Sequence, residues 1–129
     1  MHSQSYQVPF RITDINLAFQ EAEGIMRLES NRIVFEYKIQ DALGIIVKSV
    51  QNELHLSIDE IKNLEIRDWW VTLRLILTVK TIKSIQRLPN SHSCELQIKI
   101  PAKHRHQLQQ FVEALRYTLT KHRLHESDE

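Results

Sequence analysis

Glycine is almost missing from this chain of 129 residues: only Gly24 and Gly44 occur. Two isolated glycines cannot supply the run of backbone N–H groups that cradles a phosphate, so a glycine-rich nucleotide loop is excluded. No GxSxG nucleophile elbow occurs either. Cysteine is scarcer still. A lone Cys94 cannot close an internal disulfide, which fits a reducing compartment, and no CxxC or HExxH pair is present to hold zinc. Long apolar runs are lacking too. Stretches such as Leu75 to Val79 fall far short of the roughly 20 residues that cross a bilayer. The opening MHSQSYQVPF has no basic region followed by an apolar block, so no secretory signal is visible. These absences lead us to expect a soluble, cytoplasmic protein with neither cofactor nor metal.

What is present is alternation. Ile33, Phe35, Tyr37 and Ile39 share one face of a strand, with Arg32, Val34, Glu36 and Lys38 on the other. Upstream, Gly24, Met26 and Leu28 alternate with Ile25, Arg27 and Glu29, and the polar ESNR between the two runs suits a tight hairpin turn. A less regular first strand spans Phe10 to Phe19. Residues 40 to 48 read as a connection, with Ile45-Ile46-Val47 able to extend the next strand. Leu54, Leu56 and Ile58 form another face; Ile61, Leu64 and Ile66 follow. Beyond them come Leu73, Leu75, Leu77 and Val79, then Cys94, Leu96, Ile98 and Ile100, a face on which Cys94 is expected to be an inert inward residue. The apolar positions are even at Ile66 and odd from Leu73, so a turn or bulge around Arg67 to Val71 must reset the parity.

After Pro101 the period changes. Leu108, Phe111, Val112, Leu115 and Leu119 stand at helical spacing, predicting a helix from about Ala102 to about Arg123 that ends with Lys121, His122 and Arg123 against its negative dipole end. About seven antiparallel strands followed by one helix make a single α+β domain over residues 1–129. Its core is expected at about 12–123, with fraying at 1–8 and 125–129. The sheet must curl to bury its apolar face, and the helix closes the open end.

That order resembles the pleckstrin-homology-like barrel. The resemblance is carried by EGIMRLESNRIVFEYKI as an early hairpin, HLSIDEIKNLEI as strand-turn-strand, WWVTLRLIL, and RLP before CELQIKI and the terminal helix. Small bacterial proteins with PH-like or GRAM-like domains are similar from about Ile12 to Arg123. The resemblance implies a binding module and no catalysis. Members that read phosphoinositides place cations in the loop joining the first two strands; the matching stretch here, QEAEG, carries Glu21 and Glu23, which would repel phosphate. The tryptophan common in the helix of eukaryotic members has no counterpart, leaving Phe111 or Leu115 to fill that role.

The net charge of +1 hides a division: through Ile61 there are five Lys/Arg against nine Asp/Glu, and from Lys62 onward twelve against seven. Such a split creates a dipolar surface that can steer association, or merely two different solvent faces. The balance is too near zero, and surface aromatics too little interleaved with cations, for a nucleic-acid partner. Among the seven histidines, His104 and His106 are two apart and cannot share one ion on a helix; His122 and His125 could approach a common ligand but have no acidic or cysteine partner at ligand spacing. Asp59-Glu60 reads as a turn device.

The candidate binding residues are Arg67, Trp69, Trp70, Lys80, Lys83 and Arg87. One tryptophan covering the rim of the sheet beside a partly exposed neighbour would explain the pair as packing. The functional reading makes the 67–71 bend a contact for another protein or a second copy of this chain, because open sheet edges invite pairing and tryptophan is enriched among interface hot spots. The alternative is peripheral binding to anionic phospholipid through that bend and the 80–87 loop, at about 1 kcal/mol per cation. A third is a small-ligand carrier with its cavity inside the barrel, although the inward residues look large enough to fill it.

Overall fold

The computed structural model describes residues 6–13, 20–41, 51–68, 70–86, 88 and 93–127, which form seven strands, three short 3-10 turns and one long helix. The strands are β1 (Tyr6–Thr13), β2 (Gln20–Glu29), β3 (Arg32–Asp41), β4 (Asn52–Ser57), β5 (Ile61–Asp68), β6 (Thr72–Val79) and β7 (Glu95–Pro101); the helix α1 is Arg105–Ser127. Every pairing is antiparallel and the spatial order is β4-β3-β2-β1-β7-β6-β5. The α+β architecture expected from periodicity is therefore present. The ladder of the expected barrel does not close, however. Among the described residues, β4 and β5, joined by the short 3-10 turn Ile58–Glu60, are the two unpaired edges of one sheet.

One face of that sheet holds the core. Val8, Phe10 and Ile12 of β1, Met26 of β2, Phe35 of β3, Leu75 of β6 and Ile98 of β7 belong to a single buried cluster. Phe10 and Phe35 meet edge to face at 5.4 Å between ring centroids, a geometry that aligns the positive ring edge with the negative face of its partner. The helix lies across β1, β2 and β7 and buries Leu108, Phe111, Val112, Leu115 and Leu119, the stripe its spacing predicts. Each such side chain contributes ~1.5–3 kcal/mol by leaving water.

Local details depart from expectation in four places. The chain does not fray through residue 8: β1 begins at Tyr6, and Val8 is fully buried. The stretch Gln20–Gly24 is the start of β2, with Glu21 and Glu23 opposite Thr13 and Arg11, so QEAEG is strand and not the β1–β2 loop. Residues 14–19, including the Asn16–Phe19 end of the expected first strand, lie outside the described residues, as do 42–50. Cys94 is exposed, since β7 begins one residue later; its carbonyl accepts from Val79 N–H at 2.7 Å, but its side chain sits beyond the edge of the core. Finally, parity is reset twice. A bulge between Ile61 and Asn63 shifts β5 from odd to even inward positions, and the turn after Asp68 shifts it back.

Glycine and a strained turn shape the first hairpins. A Cβ on Gly24 would lie 1.8 Å from the Glu36 carbonyl oxygen and 2.7 Å from the Cα of Tyr37. The absence of a side chain there lets β2 and β3 approach closely. The ESNR turn forms as expected, with Glu29 opposite Arg32, and Ser30 takes φ 46° to close it.

Candidate functional site

The turn from β5 to β6 is the most exposed apolar feature among the described residues. Trp70 is 95% exposed and Val71 79% exposed, beyond the last hairpin pair, Asp68 opposite Leu73. The tip is nevertheless tethered. Val71 C=O accepts from Ala102 N–H at 3.0 Å, and Asp68 holds Arg105 in an ion pair and hydrogen bond that raises the guanidinium above its ordinary pKa. A hairpin tip pinned to the start of the helix presents its side chains at little further ordering cost. Covering the Trp70 ring would release roughly 3–5 kcal/mol of transfer free energy.

Beside the tip the sheet has a seam. Among the described residues, β1 and β7 pair only at Arg11 opposite Lys99. Pro9 on β1 and Pro101 on β7 both lack the N–H that a ladder requires, which limits how far this pairing can run. A cleft of about 210 Å³ opens there, with Phe10, Pro9, Pro101 and Val71 supplying apolar walls and Arg11, Glu23 and Lys99 the charges. Glu23 is engaged by Arg11, which leaves Lys99 beside the apolar walls for an anionic group attached to a hydrophobic one.

Register adds a feature that no stretch of sequence displays. Arg67 of β5 stands opposite Arg74 of β6, Arg74 opposite Lys99 of β7, and Lys99 opposite Arg11 of β1. All four occupy outward positions, forming a cationic row across four strands just behind the tip. Arg67 leans on Glu65 at 3.3 Å, and Arg11 lies 3.7 Å from both Glu21 and Glu23. Arg74 and Lys99, half-buried, meet no carboxylate within ion-pair distance among the described residues.

The predicted site residues are thus divided. Arg67 and Trp70 lie together at the tip. Lys80 and Lys83 sit past the opposite end of β6, roughly 25 Å away by strand rise, so these two lysines do not form one site with the bend. Trp69 and Arg87 lie outside the described residues. Lys80 N–H donates to the Glu60 carbonyl at 2.8 Å, and Thr81 Oγ1 donates to the Glu60 carboxylate at 3.2 Å, which makes Asp59-Glu60 part of a structural turn capped by Ser57. His122 of α1 reaches Asp59 at that same end. His104 is bound to Gln107 at 2.6 Å, and among the described residues no three His, Cys, Asp or Glu side chains converge on one point. Val71 closes the bend that the sequence singled out, whereas Arg74, Lys99 and Arg11 were missed by sequence reasoning. Their one sequence signal is Pro9 and Pro101 inside strands, the mark of an unpaired edge.

No helix among the described residues is long and apolar enough to cross a membrane. Compared with family models and with curated proteins, the chain matches none.

Proposed function

We propose that the chain is a non-catalytic binding module of PH-like architecture that docks another protein, or a second copy of itself, through the Trp70–Val71 tip. The observation that carries this reading is the 95% exposure of Trp70 on a hairpin whose residues Asp68 and Val71 are tied to Arg105 at the start of α1 and to Ala102 just before it. Folding leaves the ring uncovered, and tryptophans anchored this way concentrate interface energy. The reading is supported by one seven-stranded antiparallel sheet that buries its core on one face beneath a single terminal helix. The test compares wild type with Trp70→Ala by sedimentation velocity over a range of concentrations, and against a partner isolated from its own cells and then purified. Loss of self-association, or at least about tenfold weaker binding to the reconstituted partner, supports the reading. Indifference of both to the substitution refutes it.

A second reading has its own support. Trp70 shares one end of the molecule with Lys103, next to the Ala102 that binds Val71, and tryptophan with a cation suits an anionic phospholipid headgroup layer. Sedimentation with phosphatidylserine vesicles that fades as salt rises is its signature; no sedimentation at low salt eliminates it.

A further inference from the structure

We propose that the outer face of β5, β6, β7 and β1, beside the tip, receives an acidic segment of the partner protein, with one large apolar side chain seated in the seam cleft. The proposal rests on the reading that the chain docks proteins through Trp70, and it specifies what the docked surface carries. Its central observation is the row Arg67–Arg74–Lys99–Arg11, each residue directly opposite the next. Like charges placed opposite one another across a sheet are unfavourable. Nothing in folding requires four of them in line. Neighbouring strands stand about 4.8 Å apart, so the row spans roughly 14 Å. Carboxylates repeat on one face of an extended segment every two residues, about 6.7 Å, or along a helix every turn, about 5.4 Å; two or three of them cover that length.

The two middle cations are the ones left for an external anion. Arg74 and Lys99 have no carboxylate at ion-pair distance among the described residues, whereas Arg11 and Arg67 are already engaged. The apolar part of the ligand has its own place. The cleft of about 210 Å³ adjoins Lys99 and Arg11 and is walled by Pro9, Phe10, Val71 and Pro101. Geometry separates a protein segment from the other anions. The cations form a line and do not converge, as a single phosphate would require. The row lies on the face of the sheet and Trp70 lies at its end, about three strand residues or 10 Å further on. A planar bilayer that takes up the tip end-on leaves the row about a Debye length away, while a polypeptide can follow the corner and satisfy both.

The test titrates a short synthetic peptide, glutamates alternating around one phenylalanine, into the intact protein by isothermal calorimetry, with the glutamine version as control. Arg74→Gln/Lys99→Gln removes the central charges with little change of shape, and Lys80→Gln/Lys83→Gln makes the matched change at the distant end; thermal melts establish that both are folded. We expect the acidic peptide to bind, to weaken as salt rises, and to lose at least about tenfold in affinity in the Arg74/Lys99 variant only. Equal binding of the glutamine peptide, equal losses in both variants, or no binding at low salt overturns the proposal. Capture of the wild type by phosphatidylserine vesicles without binding of the peptide overturns it in favour of lipid. Failure here while Trp70→Ala still disrupts protein association removes the acidic partner and leaves tip docking standing; failure of the Trp70 test removes tip docking itself.

Discussion

The two halves of the sheet treat their outward charges in opposite ways. On β1–β4 most outward charges are matched. Arg27 donates to Glu29 and to Glu36, Arg32 approaches Glu29 at 3.5 Å, and Gln40 donates to Glu21 and Glu23 at 2.8 Å each. Val34, directly opposite Arg27 on this face, is fully buried outside the main core. On β5–β7 the outward cations meet one another, and the adjoining turn exposes Trp70 and Val71. One half is organised as a self-sufficient surface. The other leaves charge and apolar area for something else to cover, and that is the pattern of a contact surface.

The sharpest way to break the comparison is to disrupt the matched half from within. Gly24→Ala forces a methyl group into the Glu36 carbonyl, a backbone atom that cannot step aside. The expected loss is ~3 kcal/mol or more, visible as a large fall in melting temperature; an unchanged melt would show that β2 and β3 can separate freely. Next in size, Arg27→Ala removes the shared partner of Glu29 and Glu36. We expect a loss of about 1 kcal/mol in urea denaturation, held down by solvent screening at a side chain still 22% exposed.

Acid provides a matching test of the same network. The hydrogen bond from Arg27, with help from Arg32, holds the Glu29 carboxyl below its ordinary value of 4.5. A depressed folded-state value means the stabilisation is complete above 4.5 and fades as pH falls through the depressed value. Acid unfolding followed by circular dichroism should therefore begin at higher pH in Arg27→Ala. Identical acid transitions would show that the pairing has no role in stability.

The smallest effects belong to the unmatched half, and their sign is the point. Lys99→Gln relieves repulsion with both Arg74 and Arg11 and is expected to stabilise by a few tenths of a kcal/mol, roughly 0.5 at most, in the same denaturation assay. Trp70→Ala should leave stability within about 0.5 kcal/mol, because the ring touches little in the folded chain. A clear destabilisation by either would mean these residues hold the fold together, and the distinction between the halves would disappear.

Much of the fold was legible because periodicity reports which face a side chain takes. The alternation of Ile33, Phe35 and Tyr37, the ESNR turn and the helical stripe from Leu108 to Leu119 all correspond to what the structure contains. Periodicity says nothing about where a strand ends, so Cys94, in phase with Leu96, proved exposed. Nor did it reveal the bulge between Ile61 and Asn63, since one extra residue leaves both flanking runs regular. The candidate site was legible only at Arg67 and Trp70. Lys80 and Lys83 do not join them, because the strand between carries the chain away at about 3.3 Å per residue.

By itself, the amino-acid order determined the alternating faces within the strands, that strands come before a single terminal helix, and that no glycine-rich phosphate loop could form. These follow from local geometry, from periods of two and 3.6 and from a count of glycines. Only tertiary structure decided that β1 lies beside β7, that Arg11, Lys99, Arg74 and Arg67 fall into one row, and that two prolines flank the cleft beside them. The reason is that register between strands distant in sequence is set by burying one shared core, an outcome of the whole chain and of no single segment.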